Sequence, residues 1–128
     1  EPLSFEDNTF DIVIDVTSSN SLNEKERETY IKEVQRVLKP QGFFFLKTLC
    51  KDGDKNAKNL LKMHPGKEVN TYIMPDINLV ERVFSESDII SLYGNHFEIL
   101  KKEKKTTYSK INNQPYKRNF WIVYMQKS

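Results

Sequence analysis

Two apolar runs of strand length, residues 10–16 and 43–49, stand on either side of a single amphipathic helix, and this arrangement leaves few folds open. The first run, Phe10-Asp11-Ile12-Val13-Ile14-Asp15-Val16, follows the turn-prone Glu6-Asp7-Asn8-Thr9 and is rich in β-branched residues, so it reads as a buried strand. Across residues 23–38, Tyr30, Ile31, Val34, Val37 and Leu38 recur at helical spacing, with Lys25, Arg27, Glu28, Lys32, Glu33 and Arg36 mostly off that stripe. Asn23 followed three residues later by Glu26 matches a capping box, Glu24 and Glu26 set negative charge at the positive end of the helix dipole, and Pro40 stops the helix. A strand, a helix and a strand within about forty residues predict a parallel β-α-β unit with a right-handed crossover. Both strands are apolar on both faces, as in a central parallel sheet with helices on each side, which is the α/β class.

The remaining sequence extends this unit. Residues 51–75 are the hardest to read: Ala57, Leu60, Leu61 and Met63 predict a short helix after the loop Asp52-Gly53-Asp54, ended by His64-Pro65-Gly66. Pro75 is expected to open a short helical turn through Val80. A further helix starts at Ser85, capped with Asp88 at the third position, and ends with Gly94 at C′. Residues 97–107 and 120–125 read as two strands, with Asn112-Asn113-Gln114-Pro115 between them favouring an antiparallel hairpin. At 128 residues and 15.1 kDa the chain holds one core, so residues 1–128 are taken as a single domain.

Composition narrows the functional classes. A hydrophobic content of 38%, 30% charged residues and a mean hydropathy of -0.65 describe a folded domain without an apolar stretch of membrane-spanning length or an export signal. Cys50 is the only cysteine and His64 and His96 the only histidines, too few for an internal disulfide or a zinc cluster, and a reducing cytoplasmic setting is expected. The net charge of +2 is too small to argue for nucleic acid, although it divides into −1 over residues 1–64 and +3 over 65–128. The excess concentrates between Glu98 and Arg118, where Lys101, Lys102, Lys104 and Lys105 would carry an RNA-binding reading if there were one. Lysines on a sheet margin that resist edge pairing are the plainer explanation.

The stretches LSFEDNTFDIVIDV, EVQRVLKPQGFFFLKT and ERVFSESDI, followed by a closing antiparallel strand pair, resemble class I S-adenosylmethionine-dependent methyltransferases over essentially the whole chain. In that family a segment close to LPF-D-x-x-FD-x-V leads into the fourth strand and RVLKPGG into the fifth. Here Leu3-Ser4-Phe5 with Phe10-Asp11-Ile12-Val13, and Arg36-Val37-Leu38-Lys39-Pro40-Gln41-Gly42, take those places, with Gln41 for the first glycine of the pair. If Gln41 must adopt a positive φ, that turn is strained. The family's glycine-rich loop and the acidic residue that holds the ribose have no counterpart, since Gly42, Gly53, Gly66 and Gly94 are dispersed.

The resemblance therefore implies the C-terminal portion of a truncated Rossmann-like sheet, with family strands in the order 4-5-7-6, the last strand antiparallel, and helices on both faces. It implies methyl transfer from S-adenosylmethionine to an unidentified acceptor as part of a complete enzyme, with weak or no cofactor binding by these 128 residues alone. Leu3, Phe5, Asp15, Val16 and Thr17 are the expected cofactor-side residues, and Lys47 and Thr48 the expected substrate rim. No residue is singled out as catalytic, because methyl transfer needs chiefly alignment of donor and nucleophile. Without a family first strand, the edge of residues 11–16 is open, which predicts pairing with a separate N-terminal half or with a second copy. A non-catalytic methyltransferase-like subunit pairing through that edge is the alternative function.

Overall fold

The computed structural model describes residues 4–111 and 113–128. In chain order the elements are β1 (Phe10–Val16), a 3-10 turn at Ser19–Ser21, α1 (Glu24–Val37), β2 (Leu38–Leu49), α2 (Lys55–Met63), β3 (Thr71–Met74), β4 (Leu79–Arg82), α3 (Glu86–Tyr93), β5 (Glu98–Ile111) and β6 (Gln114–Gln126). A four-stranded sheet has the order β1-β2-β6-β5, with β1 parallel to β2 and β6 antiparallel to both of its neighbours. This is the expected order 4-5-7-6 with the last strand reversed.

Local chemistry explains the element boundaries. Asn23 caps α1 by accepting from the Glu26 backbone N–H at 2.8 Å, while the Glu26 carboxylate accepts from the Asn23 N–H at 2.9 Å, so two otherwise orphaned donors are satisfied. Ser85 and Asp88 form the same reciprocal box at the start of α3. Gly94 ends α3 in the right-handed region rather than the left-handed one, so the helix closes without a left-handed C′ residue. At the entry to β2, Gln41 does adopt φ +69°, a conformation that favours glycine. The neighbouring Gly42 is required for space: a Cβ there would lie 2.9 Å from the Lys39 carbonyl oxygen and 3.0 Å from that of Asp11 on β1.

Strand alternation divides the sheet into two unlike faces. Val13, Phe44, Leu46, Trp121, Val123 and Met125 share one cluster with Ile31 and Val34 of α1 and Ile89 and Tyr93 of α3, and this is the main core. On the opposite face helical cover is confined to one end, where α2 supplies Ala57, Leu60 and Leu61 to a smaller cluster with Leu49 and Phe120. Over the rest of that face Ile12, Ile14, Val16 and Phe43 remain exposed, Ile14 at 67%. The apolar pattern of β1 thus reads as two-sided burial in the sequence, whereas one of its faces is open in the fold.

Residues 75–80 differ from expectation. Instead of a helical turn, Pro75 to Asn78 connect β3 to β4 in an antiparallel hairpin, with Asn78 at φ +52° and its N–H donating to the Met74 carbonyl at 2.8 Å. The alternating Thr71-Tyr72-Ile73-Met74 favours a strand, and Asn tolerates the left-handed turn position. The β5–β6 hairpin is also longer than residues 97–107 and 120–125 predict, pairing as far as Ile111 with Gln114.

Candidate functional site

In an open α/β sheet the carboxyl ends of the parallel strands are where ligands bind, because loops diverge there and leave a crevice. The chain leaves β1 at Thr17, whose φ of +60° is unusual for a β-branched residue. Its N–H donates to the Lys47 carbonyl at 2.8 Å and its hydroxyl to the Val16 carbonyl, so the bend is pinned to the neighbouring strand. Just beyond it Asn20 is buried, its side-chain oxygen accepting from the Thr48 hydroxyl and from the Leu49 N–H at 3.3 Å. The loop after β1 is thereby fastened to the end of β2.

Against this loop a cleft of about 390 Å³ opens at the end of the sheet. The 17–21 loop and Leu49 form one side, Met74, Leu79 and Glu81 of the β3–β4 hairpin a second, and Thr107, Ser109, Tyr116, Arg118 and Phe120 of the β5–β6 hairpin a third. Both hairpins contribute alternate residues of one face, as pleated strands must. The cleft has apolar walls broken by hydroxyl groups, with two charged side chains, Glu81 and Arg118, among its described lining residues.

Those two charges belong to a buried network. The Arg118 Nε donates to Asp54 Oδ2 at 3.2 Å, Nη1 to the Tyr116 hydroxyl at 2.8 Å and Nη2 to the Tyr72 hydroxyl at 2.8 Å. Tyr72 in turn donates its hydroxyl proton to Glu81 Oε1 at 2.8 Å. Burial opposes the Arg118 charge, but Tyr72, Tyr116 and Asp54 outweigh it and raise the guanidinium above its ordinary value, so it stays protonated. Burial, with Glu81 adding to it against Arg118, raises the Tyr72 phenol and keeps it neutral. Asp54 serves a second purpose: its Oδ1 caps α2 through the Ala57 N–H at 2.8 Å, and its Oδ2 also accepts from the Asn119 N–H at 2.7 Å. One carboxylate therefore anchors α2, β6 and Arg118 together.

The residues singled out in the sequence separate into groups. Val16 and Thr17 sit together at the strand end, exposed. Asp15 is beside them in sequence but points into the core face, 4% exposed, where it accepts from the Tyr30 hydroxyl and from the Ser18 N–H and hydroxyl, so its carboxylate organises the bend. Asp15 and burial together raise the Tyr30 phenol well above its ordinary range, burial contributing most. Thr48 reaches the site through Asn20. Lys47 instead lies on the open sheet face with its ammonium 4.5 Å from the Phe120 ring centroid. Phe5 packs edge-to-face on Phe10 at 4.8 Å, at the other end of β1 from Thr17, and Leu3 lies outside the described residues. Asn20, Glu81, Tyr116 and Arg118 went unnoticed in the sequence as site residues. Their separation along the chain is bridged only by the two hairpins, and the helical reading of 75–80 hid one of these.

Comparisons with known proteins agree with this geometry. A sequence profile described as a methyltransferase domain matches residues 1–46. A search of curated proteins returns no match. Among solved structures, a protein from Methanosarcina mazei described as a SAM-dependent methyltransferase superposes over 98% of this chain with TM-score 0.79 and 25% identity. The fold is that of the class I methyltransferases. The PH0226 protein from Pyrococcus horikoshii gives TM-score 0.69 at 25% identity, also over 98% of this chain. A Burkholderia thailandensis 1,6-didemethyltoxoflavin-N1-methyltransferase, solved with bound 1,6-didemethyltoxoflavin and S-adenosylhomocysteine, shares the fold at TM-score 0.65 and 14% identity, over 97% of this chain and 46% of its own. The chain spans 62% of the length of the Methanosarcina protein and 55% of the Pyrococcus one.

Of the residues the sequence singles out for the cofactor side, the structure leaves two exposed at the end of β1. Val16 and Thr17 present an exposed strand end, whereas the Asp15 carboxylate is engaged by Ser18 and Tyr30 and faces the core. No GxG pairing stands among the 128 residues to approach the methionine end of the cofactor.

Proposed function

We propose that this chain supplies the acceptor side of an S-adenosylmethionine-dependent methyl transfer, working in a reducing, cytoplasmic setting. The observation that carries the reading is the coincidence of a strained Thr17 at the carboxyl end of β1 with a cleft that Thr17 itself helps to line. When bound, the cofactor supplies the methyl group. The chain's own part is to hold an acceptor between the two hairpins, to exclude water with Leu49, Met74, Leu79 and Phe120, and to present the acceptor toward Val16 and Thr17. With only one wall of the cofactor site in the sequence, affinity for the cofactor is expected in the millimolar range. Titration of isotope-labelled chain with S-adenosylhomocysteine tests this. Amide shifts should concentrate at residues 15–20, and their absence at millimolar ligand, or their appearance only elsewhere, refutes the assignment.

The open edge of β1 and its exposed Ile12, Ile14 and Val16 favour a second reading, in which the sheet is completed by another polypeptide. Either a second copy or a separate N-terminal half meets that need, and a purely interacting subunit would use the same edge. For a second copy, light scattering should show a dimer that Ile14→Lys converts to monomer. A monomer at high concentration before any substitution removes self-pairing.

A further inference from the structure

Resting on the acceptor-side reading, the geometry points to the chemical class of the acceptor: a small amine with an apolar body, bound as its ammonium by the Glu81 carboxylate, which takes up one N–H proton so that the freed lone pair can receive the methyl group. Of the two charges lining the cleft, Arg118 already has a partner of its own, Asp54, whose carboxylate is 1% exposed and lies 3.2 Å from its Nε. Glu81 shares that same Arg118 only through a longer ion pair. Arg118 Nη1 is 3.9 Å from it, beyond hydrogen-bond length, and the Tyr72 hydroxyl is its one hydrogen-bond donor among the described residues. The formal charges of Asp54, Glu81 and Arg118 sum to −1, and of the two carboxylates Glu81 is the one that lines the cleft.

A carboxylate in this position is held in place and only 22% exposed. Arg118 fixes the Tyr72 phenol from one side, and the phenol's proton fixes Oε1, so Glu81 is oriented by two buried groups rather than free to swing into water. Partly dehydrated, it favours a cation more than a surface carboxylate does. The surrounding Leu49, Met74, Leu79 and Phe120 suit an apolar body. A carboxylate or phosphate on the acceptor would meet Glu81 unfavourably, and a neutral alcohol would leave the charge uncompensated.

The test uses three probes of similar shape, 2-phenylethylamine, 2-phenylethanol and 3-phenylpropionate, titrated into the chain and followed by amide shifts. The amine should bind about tenfold or more tightly than either other probe, with shifts at residues 79–81 and 107–120. Glu81→Gln should reduce amine binding about tenfold while leaving the alcohol unchanged, and Glu81→Asp should restore part of it. Equal binding of amine and alcohol, preference for the carboxylate, no amine binding at millimolar concentration, or an amine affinity indifferent to Glu81→Gln would each overturn the assignment. Because the cofactor titration uses a different ligand and is judged at residues 15–20, whereas the amine is judged at 79–81 and 107–120 and by Glu81→Gln, loss of the amine reading and loss of the methyl-transfer reading give different results.

Discussion

Replacing Asp54 should show how much of this fold hangs on one carboxylate. Asp54→Ala removes the cap of α2, at about 1 kcal/mol, and leaves the Arg118 guanidinium, 8% exposed, without its closest counter-charge. Breaking a buried pair by deleting one partner costs about 3–5 kcal/mol. The lower end applies here, because Tyr72 and Tyr116 still accept from Arg118. The sum is about 4 kcal/mol, a large share of the roughly 5–15 kcal/mol that stabilises an ordinary domain, and for this size a fall in Tm of about 12–20 °C. Asp54→Asn keeps a cap and loses the charge, so it should cost about 1 kcal/mol less than the alanine variant. Urea unfolding followed by Trp121 fluorescence and circular dichroism measures both. A coupling energy of about 2–3 kcal/mol with Arg118→Met is expected in a double-mutant cycle. Losses within about 1 kcal/mol for both variants would mean that the ion pair contributes nothing and that only the cap matters.

Other consequences follow from single positions. Gln41→Gly should stabilise the chain by about 0.5–1 kcal/mol, since relief of about 1–2 kcal/mol at φ +69° exceeds the added freedom of the unfolded chain; a lower Tm in calorimetry contradicts the strain. Cys50 is fully buried and its thiol is pushed up to about 11, above its usual value of 9.0, by burial. Its folded pKa is the higher one, so stability from this group is full below about 9 and is lost as pH rises toward about 11. Rapid labelling by a thiol reagent at neutral pH without denaturant would refute it. Asp54→Asn should also weaken 2-phenylethylamine binding, because Arg118 then draws on Glu81 as its remaining counter-charge, and an unchanged affinity would show that the two charges are independent.

Much of this architecture is written locally. Asn23 with Glu26 and Ser85 with Asp88 form helix starts from residues three apart, so the signal survives without any knowledge of the fold. Residues 10–16 coincide with β1 for the same reason, since β-branched runs between turn residues have few other conformations. Thr17 was singled out from its place at a strand end. Its positive φ, and the burial of Asn20 behind it, depend on hydrogen bonds to Lys47, Thr48 and Leu49, about thirty residues away.

By itself the sequence determined the β-α-β unit, the helix N-caps at Asn23 and Ser85, the reversed final strand through its resemblance, and where β1 ends. Tertiary structure alone decided which face of the sheet stays open and which charges meet in the cleft. Glu81, Arg118 and Asp54 are distant in the chain, and their pairing exists only because two hairpins and the start of α2 converge on one end of the sheet. Apolar patterning records that a residue prefers burial, but the element that buries it is a property of the assembled layers. Ile14 carries that preference in the sequence and remains 67% exposed in the fold.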